Sequence, residues 1–321
     1  MLVVIAVGGK GLLDPEEGTE VGAQRAGARA AVGAIAAIAR QHRVVVTHGS
    51  SPQVGLRAYQ SALYRKAPEP TLDLVEAEAE GFLGYLLQQE LENALRDREV
   101  ATLLTQVQVD PDDPAFGRHR KLVGPVLAPV DAERMTRDRG WELEQVGAGF
   151  RRAVPSPEPL AIVELRTIKR LSEAGVVVIC AGGGGIPVRC DADGALRGVD
   201  AVIDKDRSAA LLATLLGADL LLYLTDVPAV AADFGSAFVR PILHVTPAEL
   251  RSHRLDPSTM GPKVESACRF VERTGKRAAI GAVADAAALC AGEAGTQIVT
   301  LERTSRHTSI APSAGQALPL R

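Results

Sequence analysis

Val176-Val177-Val178-Ile179-Cys180-Ala181 runs without a break into Gly182-Gly183-Gly184-Gly185-Ile186-Pro187, and the reading of this stretch decides the fold. An apolar run of this length, closed by turn residues, reads as a strand buried on both faces of a parallel sheet. Four consecutive glycines cost more backbone entropy than a plain surface turn requires, so this turn has a reason to approach something closely. Three other runs share the pattern. Leu2–Val7 ends in Gly8-Gly9, Val44–Thr47 in His48-Gly49-Ser50-Ser51-Pro52, and Leu220–Leu224 in Thr225-Asp226. Helical patterns accompany them over Ala26–Arg40, Leu72–Asn93 (with acids on one face), Ser208–Leu216 and Val264–Arg273. Repeated strand–turn–helix units predict a mostly parallel α/β sheet covered by helices on both faces. Ligands of such sheets bind beyond the carboxyl ends of the strands, where all four turns lie.

Composition agrees. The chain has 321 residues, 46% of them hydrophobic but only 3% aromatic, so its core is built from Val, Leu, Ile and Ala. A net charge of −3 leaves no electrostatic footprint for nucleic acid or anionic lipid, and Arg118-His119-Arg120-Lys121 is too short to change that. Cys180, Cys190, Cys268 and Cys290 are scattered, with no CxxC and no histidine at ligand spacing, and read as small buried hydrophobes rather than metal ligands. Leu2–Val7 is too short to span a membrane and lacks the features of a signal peptide, so a cytoplasmic protein is expected. Asp110 to Pro159 differs from the rest: seven prolines, an acidic cluster (Asp110, Asp112, Asp113), a short helix around Asp131–Arg139 and the only tryptophan, Trp141. A strand-and-turn excursion or small lid fits it better than another βα unit. From Thr300 to Arg321, Ser, Thr and Pro without apolar periodicity predict a disordered or loosely attached tail.

The loops suit phosphate chemistry, which needs positioned N–H donors and cations more than covalent help. Gly8-Gly9 after the first strand allows backbone approach to a phosphate, although a tight turn explains it equally well. GxxxxGK[ST] and a strand-linked GxGxxG are absent, which removes the P-loop and dinucleotide readings. Asp204-Lys205-Asp206 is by itself an ordinary solvated cluster; beside glycine-rich loops it also suits a lysine held by carboxylates. Met260-Gly261-Pro262-Lys263 opens a helix, where proline is routine and a lysine with free N–H groups makes an anion site.

Taken together, Val4–Gly9, Thr47-His48-Gly49 with Pro52–Gly55, Thr102–Val107, Asp112–Phe116, Val154–Pro159, Gly182–Pro187, Gly198–Asp206, Leu224–Val227 and Met260–Lys263 resemble the carbamate kinases of the amino-acid kinase superfamily. The resemblance keeps the family's order over residues 1 to about 299. It implies a three-layer αβα sandwich with a mainly parallel open sheet and a small protruding subdomain over about 116–155. It also implies homodimers that interconvert carbamate and MgATP with carbamoyl phosphate and ADP, with no metal held by the protein itself. Lys121, Lys205, Asp206 and Lys263 match the catalytic set. Gly8, Gly9, Asp204, Thr225, Asp226, Met260 and Gly261 match the nucleotide site, and Lys10, Gly49, Ser50, Ser51, Gly183 and Gly184 occupy the loops that hold the small-molecule acid.

The chain departs from that pattern at Lys10 and Ser50, where the family has Asn, at Ser51, where it has Gly, and at Ala231, where it has Tyr. Lys10 adds a charge and three donors, Ser50 shortens the reach, and Ser51 adds a side chain beside the substrate. Three readings stay open: carbamate as acceptor, a different small carboxylate or carbamate-like acid, or nucleotide binding with impaired catalysis.

Overall fold

The computed structural model describes residues 1–8, 21–64, 68–232, 240–255 and 260–300. Gly9, Lys10 and the segment 301–321 lie outside the described residues. In chain order the strands begin with β1 (Leu2–Val7), β2 (Arg43–His48), β3 (Val100–Thr102), β4 (Gln106–Val109), β5 (Lys121–Leu127), β6 (Leu143–Val146), β7 (Gly149–Val154) and β8 (Pro159–Ile162). They continue with β9 (Val177–Ile179), β10 (Ile186–Cys190), β11 (Leu196–Gly198), β12 (Leu220–Thr225), β13 (Val230–Ala232), β14 (Arg240–Ile242), β15 (His244–Val245), β16 (Arg277–Ala282) and β17 (Thr296–Ile298). The helices are α1 (Val21–Ala39), α2 (Ser51–Leu63), α3 (Leu72–Ala94), α4 (Pro129–Arg139), α5 (Leu165–Glu173), α6 (Lys205–Leu216), α7 (Pro247–Ser252), α8 (Met260–Thr274) and α9 (Ala286–Ala291).

The four aliphatic runs form the middle of an eight-stranded sheet ordered β15-β17-β16-β12-β1-β2-β9-β3. Its pairings are parallel except β16 with β17. Successive side chains on a strand point to opposite faces, and here both faces are covered. Val4 and Ala6 of β1 join Val45, Val178, Leu221 and Tyr223 in one core with α6 and α8. Val3, Ile5 and Val7 join Val46, Ile179 and Leu222 in the other, beneath α1 and α3. Continuous aliphatic strands and a three-layer αβα sandwich are thus one fact. The remaining sheets are four-stranded (β11-β10-β4-β8), three-stranded (β5-β7-β6) and two-stranded (β13-β14).

The elements differ from the sequence reading at their ends. Helix α8 starts at Met260, one turn earlier than the apolar pattern implies, and α6 starts at Lys205. Cys180, Cys268 and Cys290 are buried as expected, but Cys190 is exposed near the end of β10 and is no core residue.

The small β5-β7-β6 sheet and α4 sit on a third core that includes Val54, Ala58, Leu72, Val75, Met135 and Trp141. The Arg152 guanidinium stacks 4.2 Å from the Trp141 ring centre and pairs with Glu69 at 3.0 Å. Contact with the main body is made backbone on backbone: a Cβ on Gly55 of α2 would collide with the main chain of Gly124 in β5. Gly124 itself has φ +77°, and a Cβ there would stand 2.8 Å from Gly55 Cα. Lys121 begins the same strand, so this contact sets how far its side chain reaches. Gly55→Ala is therefore expected to cost about 1–3 kcal/mol by overpacking. Hydrogen exchange should speed up over 121–127 and 149–154; unchanged exchange there would show that the glycine contact does not hold the small sheet.

Candidate active site

The strand ends bring the four sequence-marked loops together. Gly8 follows β1 and donates its N–H to Leu224 O of β12 at 2.8 Å, while Gly49 follows β2 and donates to Val7 O at 3.1 Å. The glycine run follows β9 as a buried turn over Gly182–Gly184, with Gly183, Gly184 and Gly185 all at positive φ. Ala181 leads into it at φ +49°, the one described non-glycine residue in the left-handed region. Such strain persists only where surroundings enforce it. Here Thr47 Oγ1 donates to Ala181 O at 2.8 Å, and Ala181 N donates to Thr105 Oγ1 at 2.9 Å. Beyond the turn, Ser208 of α6 donates its hydroxyl to Gly184 O at 2.7 Å, and a Cβ on Gly184 would meet Ile203 O at 2.6 Å.

That last contact joins the glycine turn to a charge cluster at the start of α6. Asp204 is the N-cap, and its Oδ1 accepts from the N–H groups of Asp206 and Arg207. Its Oδ2 accepts from Lys121 Nζ at 2.9 Å, tying β5 of the small sheet to the helix start. Asp206, two residues on, is buried and takes Lys205 Nζ at 2.6 Å and Lys263 Nζ at 3.1 and 3.2 Å. Tyr223 of β12 fixes the arrangement from below: its hydroxyl donates to Asp206 O at 2.8 Å, and Lys263 Nζ lies 5.0 Å from its ring centre. Lys121, Asp204, Lys205, Asp206 and Lys263 thus form one connected cluster.

The electrostatics follow from burial and pairing. Burial alone would raise both aspartates, but Lys121 and Lys205 hold Asp204, and Lys205 and Lys263 hold Asp206, below the ordinary carboxylate range. Burial would lower Lys205, yet Asp206 and Asp204 outweigh it and raise it. For Lys263 burial wins, with neighbouring Lys205 adding to it against Asp206, and its ammonium is pulled down to about 8. An anion arriving here meets lysine charge already in place.

The remaining sequence-marked residues spread over the same face. Thr225 and the exposed Asp226 close β12 and bond each other at 3.0 Å. Met260 and Gly261 open α8, partly buried, one turn before Lys263. Ser50 precedes α2, fully buried, and Ser51 is its first residue. Gly9 and Lys10 lie outside the described residues.

Sequence reasoning missed the carboxylates beneath these loops. Glu76 and Glu80 of α3, expected among the acids of one face, are both buried. Ser50 Oγ donates to Glu76 Oε1 at 2.5 Å, and Glu80 accepts from Gly182 N at 2.9 Å and Thr105 N at 3.1 Å. Burial pushes Glu76 up to about 7, against the Ser50 bond and the Lys121 charge. Burial likewise pushes Glu80 up to about 8, against its N–H donors and with Glu76 adding to it. His48 is held down at about 4 by burial. The signal was available: Val75, Ala79 and Leu83 are apolar at the same helical spacing. Among the described residues no group of three or more His, Cys, Asp or Glu side chains is arranged to hold a metal ion. Nor is any helix among them long and apolar enough to cross a membrane.

Known proteins similar to this chain point to one family. A model of the amino acid kinase family matches residues 1–282. Carbamate kinase from Rhizobium meliloti is 46% identical over 301 residues, covering 93% of each chain. Among solved structures, carbamate kinase from Giardia lamblia bound to citric acid superposes with a TM-score of 0.86 at 35% identity. The same enzyme bound to AMP-PNP gives 0.84 at 36%; each match covers 93% of this chain and 98% of the other.

Asp206→Asn leaves two buried ammonium groups without their shared counter-charge. A loss of about 3 kcal/mol is expected, read from the midpoint of urea unfolding. An unchanged midpoint would mean that the lysines do not depend on Asp206.

Proposed function

The chain belongs to the amino acid kinase family, within its carbamate kinase branch, and is an ATP-dependent phosphotransferase of that type; we propose that it carries the terminal phosphoryl group of ATP to carbamate, reversibly. One observation carries the reading: three lysines from distant parts of the chain converge on Asp204 and Asp206 beside the glycine turn. The reaction joins two anions, so orientation and opposing charge supply most of the catalysis.

An oxygen of carbamate attacks the γ-phosphorus, the bond from that phosphorus to the bridging oxygen breaks, and ADP leaves with the bonding electrons. The attacking oxygen is already anionic, so no general base is required. Lys205 and Lys263 neutralise charge on the phosphoryl group and on ADP, and the two aspartates hold them in place. Lys121, released from Asp204, contacts the phosphoryl group or the acid. Thr225, Asp226, Met260 and Gly261 line the nucleotide site with Gly8. The acid lies between the second loop (Gly49, Ser50, Ser51) and the third (Gly183, Gly184). The AMP-PNP complex of the Giardia lamblia relative supports ATP and ADP as the nucleotides. Magnesium would be held mainly by the nucleotide phosphates, since Asp206 is already committed to Lys205 and Lys263.

Residues 1–299 act as one catalytic unit, with about 116–155 as its lid. A cytoplasmic homodimer is part of the same reading: Leu74, Phe82 and Tyr85 on α3 and nearby Leu104 expose apolar surface suited to a second copy.

ADP and carbamoyl phosphate should yield ATP, and Lys205→Ala should lower kcat by about 100-fold or more, the scale of losing one charge that stabilises a transition state. Nucleotide binding without turnover would overturn the reading. For the wild type, kcat/KM for ADP should fall as pH rises through about 8, where free Lys263 loses its proton. Lys263→Arg, which stays charged, should remove that fall. A profile unchanged by the substitution would assign it to another group.

A further inference from the structure

The mechanism leaves unexplained why a carboxyl group is buried under the acceptor loops. Ser50 occupies the N-cap position of α2, yet its side chain makes no capping bond. An N-cap serine ordinarily accepts from the first turn; this one spends its proton on Glu76 Oε1 at 2.5 Å. Glu76 is fully buried, and its Oε2 has no hydrogen-bond partner among the described residues. The pair sits directly against the third loop, since a Cβ on Gly183 would land on both the Glu76 carboxyl and the Ser50 hydroxyl. Glycine at that position is what allows serine, glutamate and the glycine turn to meet.

A serine hydroxyl has one proton and two lone pairs. While Glu76 is ionised that proton is committed, and the buried Ser50 Oγ keeps only lone pairs for a group that reaches it beside the glycine turn. When Glu76 is protonated it can donate in turn, and the serine hydroxyl then presents its proton as well as a lone pair, so its role as acceptor is no longer fixed. A hydroxyl fixed as an acceptor suits an N–H group and has nothing to offer a methyl group. We propose that Glu76 is a positioning residue that fixes Ser50 Oγ as a hydrogen-bond acceptor, so that the site selects an acid carrying an amino group next to its carboxylate. The inference rests on the proposed place of the acid between the second and third loops, and deepens that reading.

The charged surroundings of Glu76 are few. Lys121 on β5 favours its ionised form, and Glu80, one turn along α3, opposes it. His48, at the end of β2 and against Gly182, is held neutral by burial, and the glycine turn carries no titratable side chain. With burial pushing Glu76 up to about 7, the selection should strengthen as pH rises through that value and weaken below it.

The test uses the full-length protein with ADP and either carbamoyl phosphate or acetyl phosphate, which differ by NH2 against CH3. The ratio of kcat/KM for the two is measured from pH 6 to 8.5. In the wild type it should rise through about pH 7 toward a plateau about tenfold higher, the scale of one hydrogen bond. Glu76→Gln, whose amide cannot ionise, should give a profile flat in pH. Ser50→Ala should lose the preference by a similar factor at every pH. The wild-type profile needs no variant, so misfolding of either substitution leaves the inference exposed to refutation. A ratio flat in the wild type and unchanged by Glu76→Gln overturns the role of Glu76 while phosphoryl transfer stands. Failure of the wild type to make ATP from carbamoyl phosphate overturns the proposed function and this inference together.

Discussion

The Asp206 carboxylate, shared between the ammonium groups of Lys205 and Lys263, is the interaction on which the rest of the site depends. Two buried cations would repel each other and lose their charge without it, as the depressed Lys263 already indicates. The fold supplies the carboxylate with rigid surroundings. It lies in the first turn of α6, whose N-cap is Asp204, and its main-chain carbonyl accepts the Tyr223 hydroxyl from the centre of the sheet. The sheet order places β12 next to β1, so the same frame positions Gly8 and Gly49. Charge, glycine loops and strand ends are therefore fixed relative to one another before any ligand arrives, which is what catalysis by electrostatic preorganisation requires.

Asp204 extends that frame to a second body of structure. It caps α6 with one oxygen and takes Lys121 with the other, so the small sheet is latched to the charge cluster through a single carboxylate. The backbone contact between Gly55 and Gly124 fixes the other side of the same strand. In the proposed reaction a phosphoryl group would compete with Asp204 for Lys121, which would couple occupancy of the site to the hold on the small sheet.

Much of this was legible in the sequence, for a physical reason. Strands buried on both faces must be aliphatic throughout, so β1, β2, β9 and β12 announce themselves, and their carboxyl ends mark where ligands bind. The lysines were legible one at a time, but not their partners, because Lys121 and Asp204 lie 83 positions apart and meet only through the fold. Glu76 and Glu80 were misleading: acids on a helix ordinarily mark its solvated side, whereas α3 is covered by the main sheet, the small sheet and the glycine turn together. Cys190 erred the other way: read with the other cysteines as a small buried hydrophobe, it lies between Arg189 and Asp191 at the exposed end of β10. Ser50 was marked as a departure from the family pattern, and the structure gives it a partner, Glu76, that explains how a shorter side chain still holds a defined position.

The most direct test of the account is phosphorus NMR of the protein mixed with MgATP and carbamate. A carbamoyl phosphate resonance growing in step with ADP is the predicted result. ADP with inorganic phosphate alone, or no change in the ATP signals, would contradict it.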